Sequence, residues 1–362
     1  MKKILVIDDS ALMRRIFVDM LASDGRFEVS DTAKDGIEGL KMLETKKYDA
    51  IILDINMPKM NGIEFLNELR AKGNKERIVV ISADTADGAA VTIEALSLGA
   101  IDFIQKPKNA LDARTGDFKR RFFEIMETVT DIEKTNSASA NASPVLRSGE
   151  KKTSPAEKKN DNARKHSFVK GKKLVAIACS TGGPNALQHV IPKLPKNLNA
   201  PVVIVQHMPA GFTKSLAERL DSLSKVDVSE AQENDSLKKG HVYISQGGKH
   251  LRIEGSKQNA TIYYSDEPAR EGVKPAANYM YESLINSNYE EIVCVVLTGM
   301  GQDGRAGITN LSETNNLFVI AQSEPTCTVF GMPKAIVSND LSDEVVDLDK
   351  IADEITLRVG IC

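Results

Sequence analysis

Short apolar runs alternate with amphipathic stretches at both ends of the chain, and a polar tract separates the two patterned blocks. In the first block the runs are Ile4–Ile7, Phe27–Thr32, Ala50–Ile55, Arg77–Ser82 and Ile101–Ile104. Between them Leu12, Ile16 and Met20, and also Met13, Phe17 and Leu21, recur at helical spacing, as do Ile63 with Leu66 and Ile93 with Leu96. Uninterrupted apolar runs read as strands buried on both faces, and the helices between them supply the cover, so the pattern predicts a parallel sheet. The second block repeats it. Strands are predicted at 173–179, 201–207, 240–245, 291–298 and 317–321, and helices at 184–194, 212–223, 275–286 and 304–314. Residues 226–265 predict shorter strands and turns forming an antiparallel edge. The fold class is therefore two parallel-sheet α/β domains, and ligands of such sheets bind at the carboxyl ends of the strands.

The tract between the blocks, KTNSASANASPVLRSGEKKTSPAEKKNDNARKH, is nearly free of large apolar side chains. It has too little to bury to offset its ordering entropy and reads as a flexible linker. The expected organisation is a domain at 1–133, a linker at 134–171 and a domain at 172–362, in keeping with a 362-residue chain at ~100–200 residues per domain. A formal net charge of −3 argues against non-specific nucleic-acid binding. No apolar run reaches the ~18 residues of a membrane span, and MKKILVIDD reads as a strand ending in carboxylates, not as a signal peptide. The four cysteines, 179, 294, 327 and 362, lack metal-ligand spacing and read as reduced thiols of a cytoplasmic protein.

Chemistry concentrates at strand ends. Asp8 and Asp9 close the first run, Asp54 the third, Ser82 the fourth, and Lys106 follows the fifth. A parallel sheet brings these ends to one edge. Clustered carboxylates repel unless a cation sits among them, and Mg²⁺ suits oxygen ligands of this kind. Strand-end charges are also common as mere loop-edge residues, but five of complementary type are harder to explain that way. The segments VIDDSALMRR, YDAIILDINMPKMNGIEFL, VVISA and GAIDFIQKP resemble the receiver domain of two-component response regulators over residues 1 to about 108. The resemblance implies a flavodoxin-like fold with Asp54 as phosphoacceptor, fed by a histidine kinase. It also implies Mg²⁺ held by Asp8, Asp9, Asp54 and the backbone carbonyl of Asn56, phosphoryl contacts from Ser82 and Lys106, Phe103 as switch aromatic, and a cis Lys106–Pro107 peptide.

In the second block the turn Ala178-Cys179-Ser180-Thr181-Gly182-Gly183-Pro184 follows a predicted strand. A dinucleotide cradle would need G-x-G-x-x-G and an acidic residue after the next strand, and that strand ends in His207. A nucleophile turn fits better: A-x-S-x-G approximates the elbow of serine hydrolases. Ser180, His207 and Asp303 each follow a predicted strand, so one crevice can hold nucleophile, base and orienting acid. Cys179 is a rival nucleophile, but the last residue of an apolar strand is usually packed and inert. Ser180 could also be no more than a helix cap. His166 lies in the linker, His189 within a helix, and His241 and His250 read as hydrogen-bonded surface residues.

IACSTGGPNAL, VIVQHMPAGFTKSLAERL, GHVYISQGGKHL, VLTGMGQDGRAG and CTVFGMPKA are similar to the catalytic domain of chemotaxis protein-glutamate methylesterases over most of 172–348. The resemblance implies a Rossmann-like doubly wound domain in which Ser180 is nucleophile, His207 general base and acid, and Asp303 the orienting acid. Thr181 and Met300 would be further active-site positions, Met300 lending its amide to an oxyanion hole. The implied substrate is a glutamate γ-methyl ester on the cytoplasmic helices of a chemoreceptor, with glutamine deamidation as a companion activity. No organic cofactor is expected for hydrolysis. The chain departs from the family at Cys179, at Gln302-Asp303-Gly304, and at Lys274-Pro275-Ala276-Ala277-Asn278. The alternatives are a serine esterase of a non-motility pathway, a non-catalytic scaffold binding receptor or kinase, and a DNA-binding output, for which no basic helix-turn-helix is visible.

Overall fold

A computed structural model describes residues 1–73, 76–83, 85–107, 116–136, 170–255 and 260–362. Most of the expected linker lies outside the described residues. The N-terminal domain alternates β1 (Lys2–Ile7), α1 (Ala11–Ala22), β2 (Phe27–Ala33), α2 (Gly36–Thr45), β3 (Ala50–Asp54), α3 (Gly62–Ala71), β4 (Ile78–Ser82), α4 (Ala86–Ser97), β5 (Asp102–Gln105) and α5 (Gly116–Asn136). Its sheet has the order β2-β1-β3-β4-β5 with every pairing parallel. The four helices α1 to α4 each start on a side-chain cap, at Ser10, Asp35, Asn61 and Thr85. Such a cap satisfies one orphan amide and contributes about 1 kcal/mol. Of the two helical-spacing series read for α1, Met13, Phe17, Met20 and Leu21 face the core, and Leu12 is 62 % exposed.

The C-terminal domain runs β6 (Lys173–Cys179), α6 (Gly183–Val190), β7 (Val202–Gln206), α7 (Phe212–Leu223), β8 (Asp227–Glu230), β9 (His241–Ile244), β10 (His250–Gly255), β11 (Ala260–Ser265), α8 (Ala277–Ser283), β12 (Glu291–Val296), α9 (Arg305–Ser312), β13 (Leu317–Gln322), α10 (Met332–Val337), β14 (Glu344–Val346) and α11 (Ile351–Val359). The main sheet has the order β14-β13-β12-β6-β7-β9-β8, again all parallel. The expected antiparallel edge is therefore corrected. β8 and β9 extend the parallel sheet, and only β10 and β11 pair antiparallel, as a separate ribbon. The chain leaves β6 in one direction through β7 and returns to its other side with β12. The crevice between β6 and β12 is the switch point at which doubly wound sheets bind ligands.

The two domains meet in one continuous apolar cluster that includes Leu96 and Phe103 from the first and Leu187, Met208, Phe212 and Leu216 from the second. Within the C-terminal domain, a buried charge cluster ties α11 to the sheet. Glu291 takes Lys173 at 2.8 Å and the guanidinium of Arg358, which also lies 4.3 Å from the Phe318 ring centre. Replacing Glu291 with alanine would remove the buried carboxylate that Lys173 and Arg358 share, a loss of about 3–5 kcal/mol. We expect correspondingly faster amide exchange across Ile351–Val359; unchanged exchange would show that apolar packing alone holds α11.

Candidate active site and phosphoacceptor site

Parallel pairing aligns Cys179 on β6 with Gln206 on β7, so the next residues, Ser180 and His207, emerge side by side. His207 N–H donates to the Cys179 carbonyl at 3.1 Å, and the Gln206 side-chain amide donates to the Ser180 carbonyl at 3.0 Å. From the other flank of β6, the loop after β12 closes on the same turn. A Cβ at Gly299 would lie 2.8 Å from Ser180 Cβ, so only glycine lets this loop pack there. The turn itself passes through Gly182 at φ +77°, which begins α6 without a side-chain cap. Met300, the next residue after Gly299, has its Sδ 2.9 Å from the Thr128 hydroxyl of the N-terminal domain.

Asp303, on this loop, is buried and 2.8 Å from His207 Nε2. Its carboxylate also accepts the Ala277 amide at 2.5 Å, the Asn278 amide at 2.9 Å and its neighbour Gly304 at 3.0 Å. Burial would raise its pKa. The hydrogen bond and charge of His207, with the two amides, outweigh that and hold it below the usual carboxylate range. An ionised Asp303 makes Nε2 the protonated nitrogen, which leaves Nδ1 as the basic edge of the ring. A hydroxyl, an oriented imidazole and a buried anion can together activate an oxygen nucleophile. Cys179 is fully buried, and burial pushes its thiol far above the usual range. It remains a protonated core residue.

Sequence reasoning missed the supporting residues. Asn278 is fully buried, and its side-chain oxygen accepts the amides of Gly304 at 3.1 Å and Gly307 at 2.7 Å, capping α9. Its Nδ2 donates to Glu271. This position was visible as a departure, but its role was not. Thr181 is brought to the site, yet its hydroxyl donates at 2.5 Å to Asp102 of the N-terminal domain. His189 is exposed. His250, read as a surface residue, is instead completely buried.

In the N-terminal domain, carboxylate oxygens of Asp8, Asp9 and Asp54 lie within 4.8 Å of one another. Lys106 Nζ is 2.9 Å from Asp54 and 3.4 Å from Asp8. Burial opposes its charge, but these two carboxylates hold the Lys106 ammonium above its ordinary range. Asp8 Oδ2 is buried without a hydrogen-bond partner. A buried carboxylate oxygen with only the longer Lys106 contact, in a cluster of hard donors, fits Mg²⁺. Burial and the Asp54 charge raise Asp8 to about 6, and burial raises Asp54 as well. Asn56 lies two residues beyond Asp54, its amide 3.5 Å from the Asp54 carboxylate. Ser82 Oγ is occupied by Thr92 and the Gly88 carbonyl and does not touch Asp54. Phe103 is buried against Phe212, ring centres 4.5 Å apart. Among the described residues the cis peptide is Lys274–Pro275; the expected cis bond at Lys106–Pro107 is not found.

The class is thus a response regulator whose output domain gathers Ser180, His207 and Asp303 at the strand ends of a doubly wound sheet. A profile described as Response regulator receiver domain matches residues 4–115, and one described as CheB methylesterase matches 175–355. The Bacillus licheniformis protein-glutamate methylesterase/protein-glutamine glutaminase is 39% identical over 352 residues, covering 97% of each chain. The Bacillus subtilis protein of the same name is 38% identical, covering 98% of each. The solved Thermotoga maritima CheB methylesterase catalytic domain is 40% identical, covers 51% of this chain and 97% of its own, and superposes with a TM-score of 0.49. The chain belongs to the protein-glutamate methylesterase/protein-glutamine glutaminase family.

Two outcomes follow. Ser180→Ala abolishes labelling by a fluorophosphonate probe, and Cys179→Ala leaves it intact; the reverse would move the nucleophile to sulfur. Mg²⁺ affinity falls as pH drops below about 6, because Asp8 there holds a proton that competes with the metal. The loss approaches about tenfold per pH unit. Calorimetric titrations at pH 7 and pH 5 that agree would exclude Asp8 as a ligand.

Proposed function

We propose that this protein is a cytoplasmic, phosphorylation-controlled esterase that hydrolyses glutamate γ-methyl esters on chemoreceptor helices. The observation that carries the reading is the His207–Asp303 hydrogen bond at the flank of Ser180, beneath a receiver domain. Ser180 Oγ attacks the ester carbonyl as His207 Nδ1 takes its proton. Negative charge develops on the carbonyl oxygen, where the Met300 amide is the proposed donor. The imidazolium, stabilised by Asp303, then protonates the departing methoxide oxygen, which leaves as methanol. Water, deprotonated by the same imidazole, releases glutamate and restores Ser180. Glutamine would follow the same course with ammonia as leaving group. The relatives' name, which couples the two activities, supports this breadth. No helix among the described residues is long and apolar enough to cross a membrane, in keeping with a soluble enzyme that meets its receptors from the cytoplasm.

Control is proposed to run through the domain junction. A histidine kinase would donate the phosphoryl group to Asp54. Mg²⁺ held by Asp8, Asp9, Asp54 and the Asn56 carbonyl would neutralise charge there, and Lys106 would pair with a phosphoryl oxygen. Ser82 would have to leave Gly88 and Thr92 to reach that group, which would draw on β4 and α4. Three parts of the receiver touch the catalytic crevice. Ser97, ending α4, bonds Gln188 on α6 at 2.8 Å; Asp102 and Phe103 on β5 hold Thr181 and Phe212; and Thr128 on α5 donates to Met300 Sδ at 2.9 Å. These contacts bury the residue beside the nucleophile and occupy the proposed oxyanion loop. The unphosphorylated state is therefore read as covered.

Methanol release from methylated receptor membranes tests the reading. Acetyl phosphate with Mg²⁺ should accelerate the full-length protein and leave Asp54→Asn unchanged. Phe212→Ala removes an aromatic pair worth about 0.5–1.5 kcal/mol beyond its area. It should raise unphosphorylated activity several-fold. A Phe212→Ala protein no faster than wild type would show that the junction does not restrain catalysis, whatever the substrate. Asp303→Asn should lower kcat by about 10⁴, because the imidazole loses the anion that fixes its tautomer.

A further inference from the structure

His250 opens β10 and is completely enclosed. Its Nδ1 accepts the Ala276 amide at 3.1 Å, so its proton sits on Nε2, which donates to the Pro268 carbonyl at 3.2 Å. The Tyr279 ring meets it edge-on with centres 4.6 Å apart. One imidazole thus grips both ends of the segment from Pro268 to Ala276. The next two amides along the chain, Ala277 and Asn278, are the ones that donate to the two oxygens of Asp303. Burial lowers the pKa of His250, with the nearby Lys274 acting in the same direction and Glu267 and the Pro268 carbonyl against it. This favours the neutral ring that an accepting Nδ1 requires.

We propose that His250 is a positioning residue for the catalytic acid: by fixing the Ala276 amide it aims the Ala277 and Asn278 amides at Asp303 and so sets the plane in which that carboxylate holds His207. The inference rests on the triad reading above. Asp303 has no other backbone donors except its own neighbour Gly304 among the bonds described, and Asn278 is itself committed to α9. A shift of the 276–278 backbone therefore passes directly to the carboxylate. A displacement of about 1 Å in such a group costs on the order of 10² in rate.

Three full-length variants test it, with the rate constant for fluorophosphonate labelling of Ser180 as readout. In His250→Asn the side-chain oxygen replaces Nδ1 and keeps the bond to Ala276. His250→Gln reaches the Nε2 position instead, and His250→Phe offers neither. We expect the labelling rate constant to fall about 10²-fold in His250→Gln and His250→Phe at unchanged probe affinity, and to stay within a few-fold of wild type in His250→Asn. Proton NMR adds a second signature: the downfield resonance of the His207–Asp303 hydrogen bond should persist in His250→Asn and be lost in His250→Gln. A purely structural role would instead lower the fraction of protein labelled and leave the rate constant alone, and that result overturns the proposal. If His250→Phe fails to fold, the Asn and Gln pair decides. A wild type that does not label at Ser180 sinks the triad reading and this inference with it; equal rates in an active wild type, His250→Asn and His250→Gln sink the inference alone.

Discussion

A carboxylate buried as completely as Asp303 is tolerated only when its charge is answered on every side, and the catalytic crevice is arranged around that demand. His207 reaches it from the end of β7, the first turn of α8 reaches it with two amides, and the start of α9 adds Gly304. Asn278 then ties the second and third of these together by capping α9. A neutral amide suits that place. It donates to Glu271 and accepts from Gly304 and Gly307, whereas a carboxylate would face both Asp303 and Glu271 as a like charge. The wording of this stretch, Ala276-Ala277-Asn278, preserves the backbone amides while replacing side chains, which is compatible with a site that uses main-chain donors.

Much of this was legible in the chain. Apolar runs marked most of the strands, because a parallel sheet buried on both faces demands unbroken Val, Ile and Leu. Asp8, Asp54, Lys106, Ser180, His207 and Asp303 could be placed at strand ends, and strand ends share an edge. Long-range partnerships were not legible. Nothing local to His250 announces that its ring bridges Pro268 and Ala276, nor does Gln206 announce that it holds the Ser180 carbonyl. The short elements near the C-terminus, β14, α10 and α11, were passed over because they carry few apolar residues in a row. The parallel alignment of β8 escaped notice because sequence spacing alone does not reveal strand direction.

The two domains illustrate opposite uses of a helix start. In the receiver, α1 to α4 begin on capping side chains, which close the amides of the first turn. In the catalytic domain, α6, α7 and α9 begin after Gly182, Gly211 and Gly304, all at positive φ and none able to cap its helix with a side chain of its own, so that α9 takes its cap from the distant Asn278. Chain direction can then reverse within one residue of a strand end, and functional groups are carried on the turn itself, as Ser180 is.

The shared apolar cluster at the junction has a thermodynamic consequence. Phe103 and Phe212 belong to one core, so whatever separates them changes both domains at once. Linkage is reciprocal: a phosphoryl group that favours the separated arrangement is itself favoured by anything else that selects it. A receptor helix lodged in the crevice would compete with Asp102 and Phe103 for the same space and would thereby stabilise the acylphosphate-ready form of a receiver whose Asp54 it never touches. On the proposed function the substrate would also be an effector, and the enzyme's memory of its last phosphorylation would depend on how many receptors surround it.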